Sequence, residues 1–250
     1  MNNVKNITAA VIIIGNEILS GRTKDQNLAY IGQRLEQLGI VLGEARVIPD
    51  DEQVIADTVN FLRVKYNYVF TTGGIGPTHD DITSASIAKA FGVRLEQNTG
   101  ALSALKAYYE EGAINDARLK MACIPENAIL INNPLSGAPG FQLENVFVLP
   151  GIPLVLKAMF EGIEDRLDDG PPILTESITT NMREGQIAEA LGKIQDNYPD
   201  VSIGSYPYFK HGRLGVNLVL RSRDITNLES ASNEVRKMIV KTGGKIRDNI

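Results

Sequence analysis

The chain is poor in the residues on which several common chemistries depend. Cys123 is its single cysteine in 250 residues, which excludes an internal disulfide framework and any thiolate metal cluster. As a lone thiol it is expected to pack as a small buried hydrophobe. No apolar run reaches the roughly 20 residues needed to span a bilayer. The opening Met1-Asn2-Asn3-Val4-Lys5-Asn6 lacks a basic region followed by an apolar stretch, so secretion has no support and a cytoplasmic protein is expected. A net charge of −5 gives no general attraction to nucleic acid or to an anionic membrane, and neither is expected as a partner. Four familiar signatures are also missing: Gly-x-x-x-x-Gly-Lys-Ser/Thr, Gly-x-Gly-x-x-Gly after the first strand, His-Glu-x-x-His and Gly-x-Ser-x-Gly. P-loop ATPases, simple dinucleotide dehydrogenases, zinc proteases and serine hydrolases fall with them. No flavin, haem or zinc cluster is expected as a prosthetic group.

What remains is ordinary globular material, 43% hydrophobic and 22% charged, in a chain long enough for one larger and one smaller domain. Thr8 to Ile14 is a continuous apolar run ending at Gly15, as in a strand buried on both faces. Leu28, Ile31, Leu35 and Leu38 recur at helical spacing, with Asp25 to cap the start and Gly39 to end the helix. A second strand near Ile40–Ile48, a helix through Val54, Ile55, Val59 and Leu62, a strand over Tyr68–Thr72 and a helix stopped by Gly92 continue the alternation. Such alternation predicts an open, mostly parallel α/β sheet with helices on both faces. Residues 98–124 read as helical, with Leu102, Leu105, Tyr108 and Tyr109 as a core stripe. Strand-like pieces around Ala128–Ile131 and Phe141–Leu149 and a helix from Leu154 to about Leu167 complete this part. Asp168-Asp169-Gly170-Pro171-Pro172 breaks all periodicity, so domains are expected over 1–169 and 170–250. The second reads as strand, helix, strand, strand and helix, a small α+β domain. His211 falls in its hairpin turn, and the Lys and Arg residues of the last helix read as a solvated face.

The chemistry gathers at the carboxyl ends of the predicted strands, where open α/β sheets bind ligands. Thr71-Thr72-Gly73-Gly74-Ile75-Gly76-Pro77-Thr78-His79-Asp80-Asp81-Ile82-Thr83 joins a strand to a helix. Three glycines allow close backbone approach, and successive N–H groups at a helix N-terminus can surround a phosphate. Two carboxylates in such a loop make sense with a divalent cation, Mg²⁺ or Co²⁺, between them and the phosphate. Asp81 is assigned to this role, with Asp80 beside it. Asp50 and Asp51 precede a helix, where aspartate is a good N-cap; capping is expected of at least one, and Asp51 is assigned to the site. Glu17 and Asn27 each read equally well as surface or helix residues and as ligand contacts. His79 is an incidental loop histidine more often than a general base. Ser136-Gly137-Ala138-Pro139-Gly140 and Leu149-Pro150-Gly151-Ile152-Pro153 are turns that the topology can bring to the same rim.

At these residues the chain resembles the molybdopterin-binding MoaB/Mog domain family, in the branch that includes CinA (competence/damage-inducible protein A) and the N-terminal part of eukaryotic FAD synthase. The resemblance spans roughly 8–167 and rests on Gly73 through Thr83, on Ala138-Pro139-Gly140-Phe141 and on Leu149 through Pro153; residues 171–250 are similar to the small domain that follows in CinA-type proteins. Two positions depart from the family pattern: Asn16 stands where Gly-Asp-Glu is usual, and Gly137 stands where a threonine commonly precedes Ala-Pro-Gly. The resemblance implies one of two activities: hydrolysis of nucleotide pyrophosphates such as ADP-ribose or FAD, or adenylylation of molybdopterin with Mg-ATP. The closer loop match favours the hydrolase; a non-catalytic nucleotide or pterin sensor is the third possibility. The implied site joins Asp81, Asp51 and Asp80 at a cation to Gly73, Gly74, Gly76, Pro77, Thr78, Ser136, Ala138, Pro139, Gly140, Pro150, Gly151, Glu17 and Asn27 around a small-molecule nucleotide or pterin. Symmetric association is common for such folds, so a homo-oligomer is expected.

Overall fold

A computed structural model describes residues 6–210 and 212–247, so His211 and the two chain ends, 1–5 and 248–250, lie outside the described residues. The chain forms two compact units, Met1–Gly170 and Pro171–Ile250. In the first, the elements run β1 (Thr8–Ile14), α1 (Asn16–Leu19), α2 (Asn27–Gln37), β2 (Val41–Ile48), α3 (Glu52–Lys65), β3 (Tyr68–Thr72), α4 (Thr83–Phe91), β4 (Leu95–Gln97), α5 (Thr99–Tyr108), α6 (Asp116–Lys120), β5 (Cys123–Pro125), β6 (Ile129–Ile131), β7 (Gly140–Leu143), β8 (Val146–Leu149) and α7 (Pro153–Glu161). Six strands form one sheet in the order β2-β1-β3-β8-β7-β6. The pairings of β1, β2, β3 and β8 are parallel, and β7 pairs antiparallel with both β8 and β6.

The apolar run of β1 is continuous because both of its faces are covered. Ala10, Ile12 and Ile14 enter a core built with Ile55, Val59 and Leu62 of α3, Ile87 of α4 and Leu105 of α5. Ala9, Val11 and Ile13 enter a second core with Ile31 and Leu35 of α2 and Leu156, Met159 and Phe160 of α7. Period-two side-chain alternation in a doubly covered strand therefore accounts for the unbroken hydrophobicity. Two cores on one sheet hold the carboxyl ends of β1, β2, β3 and β8 in fixed register, and the loops leaving those ends build the site described below.

Three expectations change on contact with the structure. Residues 98–124 are not one helix: α5 ends at Tyr108, Gly112 turns the chain at φ 80°, and α6 restarts under an Asn115 cap that accepts the Arg118 N–H at 3.0 Å. The remainder of that stretch is β5, which pairs with β4 in a small separate sheet. Phe141–Leu149 is a hairpin of β7 and β8 that turns at Glu144, φ 50°. Cys123 is partly exposed rather than buried.

The second unit follows the predicted order, with β9 (Leu174–Thr180), α8 (Glu184–Asn197), β10 (Ser202–Lys210), β11 (Arg213–Ser222), α9 (Ile225–Lys241) and β12 (Ile246–Arg247). Its antiparallel sheet, ordered β10-β11-β9-β12, packs Leu218 and Leu220 against Ile187 of α8 and Val235 and Ile239 of α9. On α9, Lys237 and Lys241 are exposed as expected, whereas Arg236 reaches back to Glu176 on β9 at 2.7 Å. No helix among the described residues is long and apolar enough to cross a membrane.

Candidate functional site

The loop leaving β3 has its shape for reasons that can be read glycine by glycine. Gly73 has φ 102°, and a Cβ there would lie 2.2 Å from the Ile14 carbonyl oxygen at the end of the neighbouring strand. Gly74 has φ 67°, and its Cβ would meet Thr83 Oγ1 at 2.2 Å. Thr83 opens α4 and ties the loop back on itself, its hydroxyl donating to Gly73 O at 3.0 Å and its N–H to Gly74 O at 2.9 Å. A third constraint is spatial: a Cβ on Gly76 would stand 2.7 Å from Asp81 Oδ2. The Gly73 N–H is spent on Leu149 O at 3.1 Å, whereas the N–H groups of Gly74, Ile75 and Gly76 meet no acceptor among the described residues. Unspent amides in a turn before a helix are the arrangement that binds anions.

The carboxylates close around the end of this loop. Asp81 Oδ2 accepts the Thr78 N–H at 2.8 Å, and Thr78 Oγ1 lies within hydrogen-bonding distance of both Asp81 Oδ2 and Asp80 Oδ1. One hydroxyl proton serves one carboxylate at a time, so three hard oxygen atoms crowd one corner. The Thr78 hydroxyl, helped by a backbone hydrogen bond and by the Lys120 charge, holds Asp80 below the usual carboxylate range. Lys120 Nζ donates to the Thr78 carbonyl, which ties α6 to the same corner. Asp50 and Asp51 divide their duties. Asp51 caps α3, its Oδ1 accepting the Val54 N–H at 2.9 Å, and it does not line the cavity; Asp50 does, with Oδ2 accepting the Asn16 N–H at 2.8 Å. Of the pair, the structure therefore brings Asp50 to the cavity and leaves Asp51, expected there from the sequence, at the helix cap. The Glu17 carboxylate folds against Gly15, where an added Cβ would be 2.4 Å from Oε1.

These groups line a cavity of about 770 Å³. Of the residues expected from the sequence, Glu17, Asn27, Gly73, Gly74, Gly76, Pro77, Thr78, Asp80, Asp81, Ser136, Ala138, Pro150 and Gly151 all line it. Pro139 and Gly140 do not; Gly140 opens β7, where a Cβ would strike Val148 O at 2.3 Å, so its small size serves strand pairing instead. Asn27 is 4% exposed, and its Nδ2 donates to Gly151 O at 2.8 Å, which leaves Oδ1 as an acceptor with no partner among the described residues.

Three further lining residues carry no local signal in the sequence. Asn133 organises its whole loop, accepting the Leu135 and Ser136 N–H groups at 3.0 Å and donating to Ser136 Oγ at 2.6 Å and Ala138 O at 2.8 Å. Tyr109 and Arg118 face each other across the break between α5 and α6, the guanidinium 4.1 Å from the ring centroid. The Gly137 position also has a local reason: at φ 69°, its Cβ would come within 2.4 Å of Tyr108 Cβ, so the loop packs on α5 only without a side chain.

Among the described residues no three His, Cys, Asp or Glu side chains form a metal cage. The oxygen atoms of Thr78, Asp80 and Asp81 nonetheless suit a hard cation of the Mg²⁺ type, which takes one or two carboxylates and completes its shell with substrate phosphate and water.

Residues 10–169 match the family described as "Probable molybdopterin binding domain", and residues 172–244 match "FAD synthase, middle domain". A protein of Archaeoglobus fulgidus is 35% identical over 197 residues, covering 79% of this chain and 84% of its own. A "Probable FAD synthase" of Caenorhabditis elegans is 29% identical over a gapped alignment of 258 residues that covers 93% of this chain and 50% of that relative. The crystal structure of a Thermoplasma acidophilum protein titled CinA, with unknown function, superposes with a TM-score of 0.61 at 35% identity, covering 64% of this chain and 99% of that one.

Proposed function

The chain belongs to the molybdopterin-binding-domain family of MoaB/Mog-like fold, followed by the domain found in the middle of FAD synthases, and from that premise we propose that it is a metal-dependent pyrophosphatase releasing AMP from ADP-ribose or FAD-type dinucleotides. The observation that carries this reading is the meeting of unspent amides at Gly74, Ile75 and Gly76 with the Thr78–Asp80–Asp81 corner inside one cavity. At about 770 Å³ the cavity is of ligand size, within the roughly 300–1,000 Å³ usual for small-molecule sites. The loop amides would bind non-bridging oxygens of the adenylyl phosphate, aided by the positive end of α4. Asp80 and Asp81 would hold a divalent cation, which when bound neutralises charge at the reacting phosphate and lowers the pKa of attacking water. Asp50 steadies the rim by binding the Asn16 N–H, and Asn27 Oδ1 would accept a hydroxyl or amine proton of the ligand.

A second reading is favoured by the family description itself: adenylylation of molybdopterin, with a pterin-side group rather than water as nucleophile. Purified protein incubated with ADP-ribose or FAD, with and without Mg²⁺ or Co²⁺, should release AMP only in the presence of metal. Folded protein that yields no AMP from either substrate rules the hydrolase out and directs the assay to molybdopterin with ATP. Tight binding without turnover of any of these would mark a sensor.

A further inference from the structure

The cavity has an imbalance of charge that its glycine loop does not resolve. Five carboxylates line it, those of Glu17, Asp25, Asp50, Asp80 and Asp81, against two cations, Lys24 and Arg118. Asp25 and Asp50 are engaged with the N–H groups of Leu28 and Asn16. Lys24 is exposed, on a flexible stem. Arg118 is half-buried, and no carboxylate among the described residues pairs with it; its guanidinium lies on the Tyr109 ring at 4.1 Å and donates through Nη1 to the Ala113 carbonyl. A half-buried guanidinium held on two sides by neutral groups keeps its remaining N–H donors for an anion, and its fork matches phosphate geometry. The segment is anchored at the reacting corner, because Lys120, two residues further on, donates to the Thr78 carbonyl.

We infer that Arg118 is a second phosphate seat, apart from the glycine loop, so that the cavity selects ligands with two linked phosphates over those with one. Tyr109 is the positioning residue that holds the guanidinium in place. The inference rests on the nucleotide reading above and sharpens it: the loop amides take the adenylyl phosphate and Arg118 takes its neighbour.

Calorimetric titration of the full chain in Mg²⁺ with ADP, AMP and adenosine tests this. The unaltered protein should bind ADP about tenfold to a hundredfold tighter than AMP, the worth of a charge-assisted hydrogen-bonded contact. Arg118→Ala should erase that preference while AMP affinity stays within about threefold, a shift well under one such contact. Arg118→Gln, which keeps a donor for Ala113 O, should do the same without disturbing the segment, and Tyr109→Leu should weaken the preference in part. Circular dichroism confirms that each variant is folded. An unchanged ADP-over-AMP ratio in Arg118→Ala and Arg118→Gln overturns this inference and leaves the pyrophosphatase reading standing. No ADP binding by unaltered protein that does release AMP from ADP-ribose or FAD likewise overturns this inference alone, whereas absence of AMP release overturns the reading it rests on.

Discussion

The two rims of the cavity are made in different ways. One rim, Gly73 to Asp81, is built from backbone: its three glycines answer to a strand carbonyl, a threonine hydroxyl and a carboxylate, all within one strand-to-helix connection apart from Ile14. The second rim is built from side chains brought together by tertiary structure, with Tyr109 and Arg118 flanking a helix break and Asn133 stitching its loop. Backbone sites impose residue types on a short window of sequence. Side-chain sites leave no local signature, because any loop may carry an arginine.

The largest effect is expected where the backbone rim meets the chemistry. Asp81→Asn should lower AMP release by orders of magnitude with little loss of stability, since an amide oxygen can still accept the Thr78 N–H that Asp81 accepts at 2.8 Å. Unchanged turnover, measured by chromatography, would remove Asp81 from the mechanism. Next in size is Gly73→Ala, which forces a Cβ to 2.2 Å from the Ile14 carbonyl at φ 102°. It should cost about 3 kcal/mol in a urea titration, the upper end of ordinary substitutions. On the second rim Asn133→Ala, at a residue only 6% exposed, removes both an acceptor and a donor. A cost of about 2 kcal/mol follows from stranding the Leu135 and Ser136 N–H groups. Should Asn133→Ala prove harmless, water must replace the side chain, and the second rim would be softer than its hydrogen bonds suggest.

The same contrast explains how much of the molecule is legible in its sequence. The parallel sheet is legible because doubly buried strands and amphipathic helices have different periods, and the glycine loop is legible because positive φ at Gly73 and Gly74 restricts the residue choice. The break at Gly112 is less so: Leu102 and Leu105 carry a helical spacing up to it, and although Gly112 and the Asn115 cap mark a stop and a restart, the pairing that makes β5 is tertiary. Tyr109 packs against the first core, as its place in the stripe predicts, and also lines the cavity, while Tyr108 beside it is 53% exposed. For Asp50 and Asp51 the sequence narrows the choice to a pair, and only helix geometry separates them: the residue whose carboxylate reaches the Val54 N–H is the cap.

That separation gives a smaller prediction. Asp51→Ala should destabilise the chain by about 1 kcal/mol, the ordinary worth of a helix N-cap, and leave kcat and KM unaltered. Asp50→Ala should act in the opposite sense, with a larger change in KM than in stability, because its carboxylate orders the Asn16 turn at the cavity wall. Equal kinetic loss in the two variants would mean that α3 as a whole, rather than either carboxylate, governs the rim.

The smallest effect belongs to a charge cluster outside the cavity. Glu44 on β2 accepts from Lys65 Nζ at 2.8 Å, Arg46 Nε at 2.7 Å and the Tyr66 hydroxyl at 2.9 Å, and these bonds, Lys65 first, lower its pKa from 4.5 to about 2. A depressed folded-state pKa means that the ionised form is bound better in the native chain than in the unfolded one. The contribution is thus complete above pH 4.5 and disappears as pH falls through about 2. Because the cluster faces solvent, salt should weaken it as well. Urea midpoints for the unaltered chain and for Glu44→Gln should differ by a constant amount at neutral pH and converge across that acidic interval. Turnover at neutral pH should be equal in the two, since Glu44 does not line the cavity; a kinetic difference would show that β2 transmits charge to the rim through Asp50, and scaffold and site would then be coupled rather than separate.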